Sequence, residues 1–240
     1  MIAVILAGGL GKRLAPLTQV IPKPLLPVGE SSVLELQLLA LKRHGFTQVH
    51  IATNYLSDVV AACIGDGGKF GLNVHLSREP KPLGTCGPLT LLRDRLTEMF
   101  LVMNGDILTT LDFSRAFDFA RRLDADLTVV TKEIETPFAF GRVLADGNYV
   151  AGVQEKPDVK FEILGGIYFL KPAVLECVPD GTYYNMDQLI KDLLKRNKRV
   201  GRYLMSEYWL DIGDAHHYQA AQADYNTHFQ HLRPASDLRE

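Results

Sequence analysis

The 240-residue sequence predicts an α/β protein built on a mostly parallel sheet flanked by helices. Two observations predict it: short runs rich in β-branched residues alternate with longer amphipathic stretches, and the first run opens at once into a glycine-rich loop. The strand runs are Ala3 to Leu6, Val49 to Thr53, Asn73 to Leu76, Phe100 to Asn104, Leu127 to Thr131, Ile163 to Phe169 and Gly201 to Leu204. Helical spacing fits Val33 to His44, Ser57 to Gly65, Pro88 to Thr97, Ser114 to Leu123, Asn185 to Arg196 and Ala215 to Gln230, with Ser57 and Ser114 as N-cap candidates. In the first helix Val33, Leu34, Leu38 and Leu41 form a core-facing stripe. Between Thr136 and Lys156 the pattern changes to Gly141–Arg142–Val143, an Asp146–Gly147 turn and Val150 to Val153, a small antiparallel hairpin inserted after the first half of the sheet. Residues from Leu232 to Glu240 read as a polar tail.

Composition narrows the class. With 47% hydrophobic and 22% charged residues the chain is an ordinary globular one, and a net charge of −2 argues against a nucleic-acid partner. Cys63, Cys86 and Cys177 are far apart, odd in number and without CxxC spacing, so they read as free thiols, small and buried, in a reducing compartment. The N-terminal apolar run is short, has no basic leader and flows into the glycine loop; it is expected to be neither a signal peptide nor a membrane span, which implies a cytoplasmic protein.

The loop itself is Leu6–Ala7–Gly8–Gly9–Leu10–Gly11–Lys12–Arg13. Glycines let the backbone approach a ligand and aim its N–H groups at phosphate oxygens, and Lys12 and Arg13 add charge there. It is not the dinucleotide fingerprint, which needs glycine where Leu14 stands, nor the ATPase P-loop, which needs Ser or Thr where Arg13 stands.

A second cluster, Pro82–Leu83–Gly84–Thr85–Cys86–Gly87–Pro88, precedes a helix and offers either a close approach to a flat ligand or only a tight turn. Asp106 closes the strand ending Met103–Asn104–Gly105 and is the first candidate metal ligand, since Mg2+ takes one or two carboxylates plus phosphate oxygens. The alternative is a residue of an Asn-Gly-Asp turn. Asp211, within Trp209–Leu210–Asp211–Ile212–Gly213–Asp214, is a carboxylate between apolar neighbours and needs a partner; a divalent cation held with Asp106 supplies one, and Asp214 caps the next helix. Glu155–Lys156–Pro157 and Gly165–Gly166–Ile167–Tyr168 suit a sugar phosphate, although an exposed Glu-Lys pair is equally a solvated turn, and Arg142 and Asp187 are as ambiguous. His216 and His217 lack ligand spacing with any cysteine or third histidine and read as helix-face residues.

In order along roughly residues 1 to 220, these segments resemble the sugar-1-phosphate nucleotidyltransferases. The carriers are Leu6 to Leu14, Pro16–Leu17–Thr18, Pro22–Lys23–Pro24, Leu83 to Gly87, Asn104–Gly105–Asp106, Glu155–Lys156–Pro157 and Trp209 to Gly213. The resemblance implies a Rossmann-like core with a small antiparallel sugar-binding subdomain. It divides residues 1–232 into a nucleotide-binding half, about 1–135, and a sugar-phosphate-binding half, about 136–220. It implies a nucleoside triphosphate and a sugar 1-phosphate as partners, no membrane, Mg2+ as cofactor and pyrophosphate as product; a homo-oligomer is left open. Arg13 and the loop residues Leu6, Ala7, Gly8, Gly9, Gly11 and Lys12 would hold the triphosphate, with Gly84, Thr85 and Asp106 also on the nucleotide. Lys23 would steady the α-phosphate, Asp106 and Asp211 the metal. Lys156 would hold the sugar phosphate, with Gly141, Glu155, Gly166 and Asp187 near the sugar. The attacking phosphate is already an anion, so alignment and charge neutralisation replace a general base.

Leu83 to Leu89 looks very like a run found in mannose-1-phosphate guanylyltransferases, which favours GTP and a mannose or heptose phosphate destined for polysaccharide. Thymidylyl, uridylyl and cytidylyl relatives share nearly all the other motifs. Many members have Asn-Ala-Gly where this chain has Leu164–Gly165–Gly166, which leaves the sugar open. The chain is expected to lack the left-handed β-helix domain that some relatives append, and with it any assembly or allostery through that domain. Two other classes compete: a catalytically silent nucleotide-sugar sensor, disfavoured by the full set Arg13, Lys23, Asp106 and Asp211, and a nicotinamide oxidoreductase, disfavoured by Leu14.

Overall fold

The computed structural model describes residues 1–232; the polar tail expected over 233–240 lies outside the described residues. A seven-stranded sheet has the order β12-β8-β11-β6-β1-β4-β5. Its strands are β1 (Ile2–Leu6), β4 (Gln48–Thr53), β5 (Asn73–Arg78), β6 (Phe100–Asn104), β8 (Leu127–Pro137), β11 (Asp158–Leu170) and β12 (Val200–Met205). β1 pairs in parallel with both β4 and β6, β4 with β5 and β12 with β8, while β11 runs antiparallel to β6 and to β8. Only β11 is therefore reversed, and the mostly parallel mixed α/β sheet expected from the alternating pattern is present.

The alternation of side chains along β1 divides the core. Ala3 and Ile5 pack with Leu34, Leu38 and Leu41 of α1 (Val33–Arg43) and Phe113 and Phe117 of α3 (Phe113–Leu123). Ile2 and Val4 face Leu89, Val174 and, from α4 (Met186–Lys195), Leu189 and Leu193. A third cluster seats α5 (Ala215–His228) through Ala221 and Tyr225 against Leu26, Val28 and Ile212; Val28 belongs to a small hairpin of β2 (Pro27–Val28) and β3 (Ser31–Ser32).

Helix starts differ from the sequence reading in instructive ways. α1 carries a capping box between Ser32 and Glu35. α2 (Ser57–Ile64) begins after Leu56 in a left-handed conformation, so Ser57 caps nothing. Asp112, not Ser114, caps α3 by accepting the Arg115 amide at 2.9 Å, and the Ser114 hydroxyl donates to the His44 carbonyl instead. The helix expected over Pro88 to Thr97 forms as a 3-10 helix over Gly87–Arg95, where the Thr90 hydroxyl donates to the Gly87 carbonyl at 2.8 Å and competes with the backbone for it. Of the cysteines, Cys86 is buried, and burial pushes its thiol up to about 12; Cys63 is exposed, against expectation.

β8 and β11 extend beyond the sheet as a two-stranded arm that ends in the hairpin β9 (Arg142–Asp146) and β10 (Tyr149–Gln154), turning at Gly147.

His50 is fully buried on β4, stacked on His75 at 5.5 Å. Desolvation, then the charges of His75 and Arg95, push its pKa from 6.5 down to about 4. A pKa lowered on folding means that the unfolded chain takes up the proton first as pH falls, so stability held above the unfolded value is lost through this window. Between pH 6.5 and pH 4 the native state is expected to lose about 3 kcal/mol at this site. Urea unfolding at both pH values checks it: His50→Leu should flatten the pH dependence by that amount, and an unchanged slope would refute the assignment.

Candidate active site

The chain runs from β1 outward to β4 and β5, then returns to β6 on the other side of β1. The crevice at the carboxyl ends of β1 and β6 is therefore the point where strand order reverses, where open α/β sheets bind ligands. Leu6, Gly8, Gly9, Gly84, Thr85 and Asp106, six of the residues singled out in the sequence, line one cleft there of about 310 Å³.

Among the described residues, none of the amides of Gly8, Gly9, Leu10 and Gly11 donates a hydrogen bond. Four consecutive unspent donors at a strand end suit an anion. Ala7 differs: it is buried, and its amide donates to the Ala52 carbonyl at 2.7 Å, so it braces the loop rather than offering a donor. The Thr18 hydroxyl donates to the Gly11 carbonyl at 2.9 Å, and Gly11, at φ 59, begins the 3-10 turn Lys12–Leu14. Lys12 is exposed; Arg13 points back towards Gly213 and contributes positive charge at Asp211.

Across the loop, the ammonium of Lys23 forms an ion pair with Asp106 and lies 3.9 Å from Asp211. The two carboxylates come from adjoining strands: Asp106 precedes β7 (Ile107–Thr109), Asp211 ends β13 (Trp209–Asp211), and the strands pair antiparallel with Asp211 opposite Ile107. The Ile212 amide donates to the Asp106 carbonyl at 3.0 Å, and the Gln37 side chain donates to the carbonyls of Asn104 and Ile107 at 3.0 and 2.8 Å, fixing the turn between them. Asp106 Oδ1 and Asp211 Oδ1 are buried without a hydrogen-bond partner among the described residues. Desolvation, then the Asp106 charge, holds the Asp211 carboxyl above the usual carboxylate range. Two orphaned carboxylate oxygens, each from a residue bordering one side of the β7–β13 pair, fit a hard divalent cation.

The second glycine loop is shaped by contact with α4. Thr85 donates its amide to Asn185 Oδ1 at 3.2 Å and accepts the Met186 amide on its hydroxyl at 2.9 Å. Gly84 sits at φ 79, where a Cβ would come within 2.6 Å of Asn185 Oδ1 and 2.7 Å of the Tyr184 carbonyl, so only glycine fits.

The residues expected around a sugar are dispersed. Glu155 and Lys156 are exposed beyond the end of β10, with Gly141 beside Glu155, and none of the three lines the cleft. Gly166 is buried in a bulge of β11 against the Asn104 side chain, and Trp209 donates its indole N–H to the Gly165 carbonyl at 2.8 Å, tying that bulge to β13. Asp187 pairs with Lys191 at 2.9 Å, and that pairing holds its carboxyl below the usual range. His216 and His217 lie in the first turn of α5, His216 exposed, as helix-face residues; with Asp214 their ligand atoms lie within 4.8 Å of one another. Asp214 also caps α5 through the His217 amide at 2.9 Å, and the positive end of that helix opposes a cation. Sequence reasoning missed Glu79, Asn104 and Tyr183, which line the cleft. For Glu79 the signal was its place between the strand run that ends at Leu76 and the glycine cluster that opens at Pro82, although no motif carries it.

Donors for anions at the loop, acceptors for a cation at the turn and room for a nucleoside between them make this an α/β protein of the nucleotide-handling class. The chain belongs to the nucleotidyl transferase family, whose family model matches residues 2–228. It is 32% identical over 245 residues to a mannose-1-phosphate guanyltransferase of Schizosaccharomyces pombe, covering 98% of this chain and 67% of the relative. It is 32% identical over 241 residues to a UTP--glucose-1-phosphate uridylyltransferase of Synechocystis, covering 92% and 62%. HddC from Yersinia pseudotuberculosis superposes with a TM-score of 0.74 at 25% identity, covering 93% of this chain and 99% of that one. The chain thus spans between 62% and 67% of the length of these two sequence relatives. No helix among the described residues is long and apolar enough to cross a membrane.

Proposed function

We propose that this protein is a cytoplasmic sugar-1-phosphate nucleotidyltransferase that converts GTP and mannose or heptose 1-phosphate to the GDP-sugar and pyrophosphate, with Mg2+. The observation that carries the reading is the meeting of Lys23, Asp106 and Asp211 beside a glycine loop with free amides, at the mouth of a nucleoside-sized cleft. An oxygen of the sugar phosphate attacks the α-phosphorus, the α–β phosphoanhydride bond breaks, and pyrophosphate leaves. Gly8 to Gly11 and Arg13 bind the β- and γ-phosphates; Lys23 turns its ammonium to the α-phosphate and offsets the charge that builds there. A divalent cation on Asp106 and Asp211 supplies Lewis-acid charge neutralisation. Lys156 and Glu155, on the arm, are the residues assigned to the sugar phosphate and the sugar, with Gly166 and Asp187 near the sugar. The names of the guanyltransferase relatives support guanine, and the uridylyltransferase relative keeps UTP with glucose 1-phosphate as the second reading.

The test is pyrophosphate release from GTP, UTP, dTTP, CTP and ATP with Mg2+, each against mannose, glucose, N-acetylglucosamine and heptose 1-phosphates. GTP with mannose or heptose 1-phosphate is expected to exceed every other pair. A protein stabilised by a triphosphate yet silent with all of them would instead be a binding protein.

A further inference from the structure

The hairpin of β9 and β10 stands at the end of the arm with every residue from Gly141 to Ala151 exposed. Val143, Val150 and Val153 are each more than half exposed. Across the ladder Val143 pairs with Val153 and Ala145 with Val150, so these four share one side of the ribbon, while Arg142, Leu144 and Asp146 share the other. Two strands alone are marginal in water, and an uncovered edge is a template for a further strand. β10 covers one edge of β9; among the described residues no strand pairs with its other edge. The side chains of Arg142 and Asp146 make no hydrogen bond or ion pair among the described residues.

The order of residues along that free edge says what covers it. An edge protected against pairing carries a charge or a proline in its middle. β9 reads Arg142–Val143–Leu144–Ala145–Asp146, with three apolar residues in the middle, a cation at one end and an anion at the other. Laid antiparallel on a copy of itself about Leu144, the strand sets Arg142 opposite the partner's Asp146 and Asp146 opposite the partner's Arg142. Val143 then faces the partner's Ala145, and the two Leu144 residues meet on the two-fold axis. Both ends close with opposite charges, which favours a cross-strand pair. A contact across a two-fold axis has to be self-complementary in this way. An unrelated strand would have to supply the same order of acid, apolar residues and base. We propose that β9 is a homodimer contact, joining two copies edge to edge into a four-stranded sheet of order β10-β9-β9-β10. β10 ends at Gln154 and leads directly into Glu155 and Lys156, so the contact steadies the stretch that carries them. The proposal stands apart from the nucleotidyltransferase reading, since it needs no substrate.

Sedimentation velocity on the full chain tests it. The wild type is expected to shift from monomer to dimer as its concentration rises from about 1 to about 100 μM, the weak range of a small interface. Arg142→Asp sets acid against acid at both ends of the strand pair, and Asp146→Arg sets base against base. Each is expected to weaken the dimer at least about tenfold. The decisive sample is an equal mixture of the two variants. There every facing pair is again opposite in sign, so two chains that self-associate poorly are expected to form a one-to-one dimer, which a misfolded variant cannot do. A wild type that stays monomeric at about 100 μM overturns the proposal. So does a dimer that both variants keep, which places the contact elsewhere, and so does a mixture that associates no better than either variant alone.

Discussion

Asp106→Asn or Asp211→Asn is expected to leave a folded protein whose Mg2+-dependent turnover falls about a thousandfold, the several kcal/mol that a correctly placed divalent cation contributes to a phosphoryl-type transition state. Asparagine keeps the shape and one acceptor oxygen but removes the charge on which cation binding depends. Asp211→Asn should spare the fold most: desolvation and the neighbouring Asp106 already hold the Asp211 carboxyl above its usual range, so neutralising it relieves repulsion in the metal-free state, whereas Asp106→Asn also takes the charge that Lys23 pairs with. Steady-state pyrophosphate release with thermal unfolding of the same samples gives both numbers. Turnover near the wild-type rate in both variants would remove the metal assignment, whereas a collapsed unfolding temperature would show that the pair is structural.

Lys23→Gln is expected to lower turnover by about a hundredfold or more, yet to tighten binding of free Mn2+ when no nucleotide is present. The ammonium pairs with Asp106 and stands 3.9 Å from Asp211, where it neutralises the same oxygens that a metal needs. A cation arriving without phosphate must displace it, and electrostatic competition makes that unfavourable. A nucleotide that brings both cation and α-phosphate gives Lys23 a new anion to face, so the exchange is nearly balanced. Electron paramagnetic resonance of unbound Mn2+ reads the effect without catalysis, and equal Mn2+ affinity in wild type and variant would show that Lys23 does not compete.

Much of this arrangement was legible because it is local. The run Ala3 to Leu6 followed by Gly8, Gly9 and Gly11 fixes a strand and a loop within a dozen positions, and the loop's unspent amides follow from that geometry. Asp106 was visible for the same reason, as the residue directly after a strand. Asp211 could be named from its neighbours and the family likeness, but its pairing with Asp106 is a register between β13 and β7, set by a contact about a hundred residues apart in the chain. The caps failed where tertiary contact took over: Ser114 turns to the His44 carbonyl, so Asp112 accepts in its place. The reversed direction of β11 and the length of the β8–β11 arm were hidden because charged and apolar residues mix along Lys132 to Glu162, where both faces of the arm meet solvent and the usual alternation fades. Glu79 was hidden most fully. No motif carries it, and only the fold shows that Leu83 and Gly8 border it.

The ribbon of β7 and β13 has a bearing on synthesis. A polypeptide leaving the ribosome already carries Gly8, Lys23, Glu79 and Asp106 when strands β1, β4, β5 and β6 can first assemble, and N-terminal segments generally begin to organise before the rest is made. Asp211 reaches the site only when Trp209–Asp211 zips onto Ile107–Thr109. Until then Asp106 stands without the second carboxylate, and the loop of Gly84 and Thr85 without the residues of α4 that hold it. The site is therefore completed late in the chain, when α4 and then β13 dock on what the first half has built.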